Sequence, residues 1–220
     1  MLPRVLVVCA LALAGCAPPR LAPPPAAESC PAELPALVDV ATLRPPPRVE
    51  VRYATPDNFV GRPLPGYDAP RALLRPEAAQ ALARVQQRLQ PQGLGLKVWD
   101  AYRPVRATLA MVEWAESTGR RWVLDQGYVA RESGHNRGAT IDLTLVRLGS
   151  GEELEMGTPY DEFSERAHTA NAVGEVARNR ETLRQAMGAE GWRNYEKEWW
   201  HYSHGSVTHP PLDVPLRCFR

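Results

Sequence analysis

The chain has 220 residues, with 26 Lys and Arg against 25 Asp and Glu, for a formal net charge of +1. So even a balance leaves no basic footprint for nucleic acid. Nor is any apolar run downstream of the first residues long enough for a transmembrane helix, which needs about 20 residues.

The leader comes first. Arg4 gives a positive start, and Val5 to Ala14 is an apolar stretch too short to span a bilayer. It ends in Leu13-Ala14-Gly15-Cys16, which resembles the lipobox of bacterial lipoproteins. The resemblance implies cleavage before Cys16, lipid on its thiol, and a membrane anchor. The other reading is an ordinary secretory signal cut nearby; both export the protein. The chain then divides into a signal peptide (1–15), a lipidated, Pro/Ala-rich tether (16–30) and a domain (31–220). Loss of residues 1–15 leaves 25 basic and 25 acidic residues. The stretch APPRLAPPPAAE favours extended polyproline II, at about 3.1 Å per residue, and reaches roughly 35–40 Å. The expected location is the cell envelope, on the periplasmic side, with Ala17 after the lipid cysteine favouring the outer membrane. Cys30 and Cys218 remain near the two ends of the domain. In an oxidising compartment they are expected to form a disulfide; the alternative is two separate thiols.

Within the domain, Glu50 to Tyr53 alternates as a short strand would, with Val51 and Tyr53 on one face. Pro56 to Pro70 reads as a long loop. A helix is expected from Pro76, a favoured first-turn residue, to about Gln90, burying Leu82, Val85 and Leu89. Leu94 to Trp99 reads as a strand. A second helix covers about Val105 to Ser117, with Leu109, Val112 and Ala115 or Glu116 on its inner side. Ala139 to Leu145 alternates cleanly, with Thr140, Asp142 and Thr144 on its polar face. A third helix spans about Gly174 to Met187. Trp192 to Tyr195 and Trp199 to Tyr202 read as two strands joined by a tight turn. Trp99, Trp114 and Trp122 are expected in the core. The irregular alternation of strands and helices favours an α+β fold over a doubly wound sheet.

The chemistry gathers in two places. His135 and Asp142 lie seven apart in SGHNRGATIDLTL, and Glu198-Trp199-Trp200-His201 follows. Two imidazoles and one carboxylate leave a zinc ion an open position, and a non-ligating glutamate beside the second histidine suits a general base. Gly134 and Gly138 let His135 lean over the strand face that carries Asp142. A regular strand would put Glu198 and His201 on opposite faces, so a bend or bulge is expected between them. A helical stretch would join them at i, i+3 instead, but the paired tryptophans favour a strand. His204 is not expected as a fourth ligand, because four protein ligands would close the site.

Together with WDAYRP and VRYATPDNFVGRP, SGHNRGATIDLTL and NYEKEWWHYS resemble the D-alanyl-D-alanine dipeptidases, the VanX-like group of zinc D,D-peptidases. The resemblance runs from about Val38 to His204. It implies the hedgehog/D,D-peptidase fold, a small central, mostly antiparallel sheet flanked by helices. It further implies zinc (one ion per chain) on His135, Asp142 and His201, with Glu198 as catalytic base. Arg103 matches the arginine that stabilises the tetrahedral intermediate; an ion pair with a nearby acid such as Asp161 is the structural alternative. Tyr53, Ser133 and Asp161 match positions lining the substrate pocket. The implied substrate is a small D,D-dipeptide, with a carboxypeptidase acting on peptidoglycan stem peptides or a non-catalytic peptidoglycan-binding lipoprotein as alternatives. No nucleic acid and no protein partner is implied. The segment Glu116 to Gly127 is shorter than the insertion expected of the best-known members, which would open one rim of the cleft.

Overall fold

The structure, a computed structural model, describes residues 29–205 and 209–219. The expected signal peptide, Cys16 and the tether up to residue 28 lie outside the described residues. No described helix is long and apolar enough to cross a membrane.

Two short strands, β1 (Val38–Asp39) and β3 (Leu73–Leu74), pair antiparallel at one edge. The main sheet has five strands in the order β2-β4-β5-β7-β6. Its members are β2 (Arg48–Val49), β4 (Leu94–Asp100), β5 (Thr140–Arg147), β6 (Trp192–Tyr195) and β7 (Glu198–His204). Only the β2–β4 pair is parallel. Helices α1 (Pro76–Leu89), α2 (Val105–Ser117), the single turn α3 (Trp122–Asp125) and α4 (Gly174–Gly188) complete the mixed α+β architecture.

Helix α1 begins with Pro76 in its first turn, and Glu77 there and Arg88 in the last turn suit the helix dipole. It buries Ala78, Leu82, Val85 and Leu89. Gln86 is buried too: its side-chain oxygen accepts the Leu96 amide at 2.8 Å, tying helix to sheet. Gly93, at φ +70°, reverses the chain into β4 in a left-handed conformation that glycine adopts without strain.

Three expectations need correction. The pairing before the long loop falls at Arg48–Val49, and Arg52–Ala54 is a 3-10 turn. Val51 and Tyr53 are both buried nonetheless. Leu109 is 57% exposed; α2 instead turns Thr108, Met111 and Ala115 inward. Thr108 Oγ1 accepts from Asn136 at 3.0 Å and Met111 touches Arg103, so contacts with the site set the rotation of the helix. Trp122 is 42% exposed, its ring edge-on to Tyr128 at the surface.

Strand β5 carries the central feature. Ile141, Leu143 and Leu145 fill one side, and Thr140, Asp142 and Thr144 the other, all buried. The polar row is therefore interior: Thr140 meets Ser203, and Asp142 meets Tyr160. A disulfide joins Cys30 to Cys218. The C-terminal segment it secures runs beside the site: Tyr102 Oη accepts from the Val214 amide (2.8 Å) and donates to its carbonyl (3.0 Å). The Leu212 amide donates to Asn136 O at 2.8 Å.

Candidate active site

His135 sits in a 3-10 turn, Gly134–Arg137, capped by Ser133, whose hydroxyl accepts the His135 amide. Gly138, at φ +77°, then releases the chain into β5. His135 Nδ1 lies 2.7 Å from the Ala101 carbonyl. A carbonyl only accepts, so Nδ1 carries the hydrogen and Nε2 offers a lone pair to the interior. Asp142 and His201 are direct cross-strand partners on β5 and β7.

Three donor atoms meet there. His135 Nε2 is 3.3 Å from His201 Nδ1 and 3.3 Å from Asp142 Oδ1, and His201 Nδ1 is 3.0 Å from that oxygen. Asp142 Oδ1 is buried without a hydrogen-bond partner. An orphaned carboxylate oxygen facing two imidazole nitrogens lacks a positive charge at their centre. A tetrahedral ion with bonds of about 2.0–2.1 Å separates its ligands by about 3.3 Å, so the triangle fits such an ion. Among the described residues this is the cluster of His, Asp, Glu or Cys able to hold a metal.

Glu198 reaches the cluster through an irregularity in the sheet. Asn194 pairs with Tyr202, but Tyr195 pairs with Glu198, so residues 199–201 of β7 form a bulge opposite a single step of β6. Asn194 Nδ2 bridges it, donating to Glu198 O (2.9 Å) and His201 O (3.0 Å). The expected distortion between Glu198 and His201 is therefore present. It brings Glu198 Oε2 within 3.6 Å of His201 Nδ1. Trp199 and Trp200 are both buried. Burial, then the charges of Asp142 and Asp161, push the Glu198 carboxyl well above its usual range, with Arg103 opposing. A bound cation would pull it back down.

A second bulge places Arg103. Val98 pairs with Leu143 and Asp100 with Asp142, leaving Trp99 as the extra residue. Asp100 Oδ2 accepts from Arg103 Nε (3.0 Å) and Nη2 (2.8 Å), and Tyr67 donates to Oδ1. The ion-pair partner of Arg103 is thus Asp100, not Asp161. The same guanidinium lies 5.1 Å over the Tyr53 ring and 3.8 Å from Asp142 Oδ2. Asn136 Nδ2 donates to Arg103 O at 2.8 Å, and the Arg103 amide donates to His135 O at 3.2 Å. The arginine loop and the first histidine are thereby one unit.

Asp161 lies across the site, both carboxylate oxygens 3.0 Å from the Tyr53 hydroxyl. Its φ of +62° is the one positive value outside glycine among the described residues, a strain that Asp tolerates better than most. Burial and then the Asp142 charge raise the Asp161 carboxyl well above normal. His135, Asp142, His201, Glu198, Arg103 and Asp161 line one cavity of about 370 Å³, walled by Phe59, Tyr128 and Phe163. Ser133, Tyr53 and Asp161 are all at its edge, and His204 is not. Sequence reasoning passed over Asp100, although WDAYRP contains it, and Tyr160 and Asn194, which flank noted residues.

Residues 34–219 match the D-ala-D-ala dipeptidase family (Peptidase_M15). A D-alanyl-D-alanine dipeptidase of Enterococcus faecium is 39% identical over 187 residues, covering 77% of this chain and 93% of the relative. One from Escherichia coli is 37% identical, covering 83% and 92%. The solved vancomycin-resistance D,D-pentapeptidase VanY, in complex with Zn(II), aligns at 13% identity and a TM-score of 0.39, covering 62% of this chain and 75% of that one. The chain belongs to the D-ala-D-ala dipeptidase family of peptidases.

Proposed function

We propose that the protein is a zinc-dependent dipeptidase that cleaves D-Ala-D-Ala into two D-alanines in the cell envelope. The observation that carries this reading is the triangle of His135, Asp142 and His201 with the buried Glu198 beside it. The names of its relatives supply the substrate. Zinc, when bound, would polarise the scissile carbonyl and lower the pKa of water towards about 7. Glu198 takes the proton of the attacking water as the C–O bond forms. It then returns that proton to the departing nitrogen as the C–N bond breaks, acting as base and then acid. Its raised proton affinity suits the second half of that task. Arg103, fixed by Asp100, directs permanent positive charge at the oxyanion of the tetrahedral intermediate. Asp161, held by Tyr53, offers a carboxylate to the substrate's free ammonium, and that cation favours the ionised form. The aromatic wall restricts the space beyond it.

The leader reading completes the proposal: cleavage before Cys16, lipid on its thiol, and retention at the membrane with no protein or nucleic-acid partner. The decisive assay measures D-alanine released from D-Ala-D-Ala, with and without a chelator, beside a pentapeptide stem and the L,L-dipeptide. Chelator-sensitive turnover of the D,D-dipeptide is expected. Preference for the pentapeptide would reassign the enzyme to carboxypeptidase action, and zinc-loaded protein that leaves every peptide intact would end the hydrolase reading. Cys16→Ser should release the protein from the membrane fraction.

A further inference from the structure

We infer that Tyr160 is a positioning residue that fixes the rotation of the Asp142 carboxylate through its hydroxyl. The inference rests on the zinc reading above. The Tyr160 ring needs no hydroxyl to stay in place. It stacks on Trp99 at 4.7 Å and meets Trp200 edge-on at 5.6 Å, so a phenylalanine would pack equally well. The hydroxyl is what calls for an explanation. Its oxygen lies 2.9 Å from Asp142 Oδ2 and 3.1 Å from Tyr53 Oη.

The two oxygens of Asp142 thereby have separate duties. Oδ1 faces the two imidazole nitrogens, while Oδ2 accepts the phenol hydrogen. A carboxylate free to rotate about its last bond would present either oxygen, or both, to the cluster. A phenol on one oxygen selects the other. Metal ligands are generally oriented by such outer partners, whose removal weakens metal binding by about 10–100-fold.

The backbone explains how neighbouring residues both approach Tyr53. In extended chain, consecutive side chains point to opposite faces. The left-handed conformation of Asp161 breaks that alternation, so that Tyr160 and Asp161 both reach Tyr53. Tyr53 gives its one hydrogen to Asp161 and Tyr160 gives its own to Asp142, so each carboxylate is held by its own tyrosine.

The test is the zinc affinity of Tyr160→Phe, measured by competition with a chromogenic chelator, together with the thermal midpoint of the metal-free protein and kcat and KM on the D,D-dipeptide. The zinc Kd should rise at least about tenfold, the metal-free midpoint should hold, and kcat should fall more than KM changes. Tyr53→Phe, which leaves the Tyr160–Asp142 bond in place, should raise KM and leave the zinc Kd within about twofold. Equal zinc affinity in wild type and Tyr160→Phe overturns this inference alone. So does a Tyr53→Phe variant that loses zinc as readily as Tyr160→Phe, since the effect would then be general to the pocket. A wild type that takes up no zinc overturns this inference and the proposed function together.

Discussion

Replacing Asp100 by Asn tests whether the arginine loop is held by one buried carboxylate. Asp100 is almost wholly inaccessible and receives two hydrogen bonds from Arg103, at 3.0 and 2.8 Å, and one from Tyr67. Asparagine keeps the shape but has one acceptor oxygen where three donors converge. Its amide NH2 must then face either a guanidinium or a phenol hydrogen. Breaking a buried pair by removing one partner typically costs about 3–5 kcal/mol, because the other charge stays buried and unpaired. The residual acceptor puts Asp100→Asn near the lower end, about 3 kcal/mol. Turnover should fall about 10²–10³-fold, the usual cost of one misplaced oxyanion donor. Zinc affinity should change little, because His135 Nδ1 keeps the Ala101 carbonyl at 2.7 Å. Urea unfolding, kcat/KM and chelator competition on one preparation give all three readings. Full stability with full activity would refute the account. Loss of zinc in step with activity would show that Asp100 acts chiefly through His135, whose Nδ1 is 3.3 Å away.

Asn194→Asp removes both donors that bridge the β7 bulge and sets a carboxylate against two carbonyls. Activity and zinc affinity should fall together by tenfold or more, on the order of one lost outer contact; unchanged values would mean that the bulge holds itself. Cys30→Ser with Cys218→Ser should lower unfolding stability by about 2–4 kcal/mol, read by urea denaturation against the wild type under non-reducing conditions. The pH profile follows from Glu198, whose carboxyl is raised by burial and by Asp142 and Asp161. A general base must be ionised, so kcat/KM is lost as pH falls through its pKa. An acid limb is therefore expected, its position set by burial and the two aspartates, which raise the Glu198 carboxyl, against a bound cation, which lowers it. A profile with no acid limb contradicts the assignment.

The elements were legible wherever a local signal carried them. Pro76 starts α1, Pro91 and Gly93 end the segment, and strict alternation marks β5. What alternation does not encode is what covers each face. Thr140, Asp142 and Thr144 read only as a polar face, yet all three are buried, with Ser203 on Thr140 and Tyr160 on Asp142. Leu109 failed for a related reason. Helical periodicity leaves the rotation of α2 open by one residue, and the contacts of Thr108 with Asn136 and of Met111 with Arg103, both non-local, decide it.

The two bulges show why one part of the site could be foreseen and another could not. Between Glu198 and His201 the proposed chemistry and the strand period conflict: an expected base and an expected ligand are three residues apart in a repeat of two. That conflict pointed to a distortion, and the extra residues of β7 supply it. At Trp99 there was no conflict to notice. Asp100 and Arg103 are separated by an irregular turn, no catalytic role required the aspartate, and the arginine's partner was sought in Asp161 instead. The extra residue in β4 sets which way Asp100 points, and only the pairing of Val98 with Leu143 and Asp100 with Asp142 reveals it. A residue that acts by holding another leaves no periodicity and no motif spacing of its own. Asp100 and Tyr160 become visible only when each buried donor is required to have an acceptor.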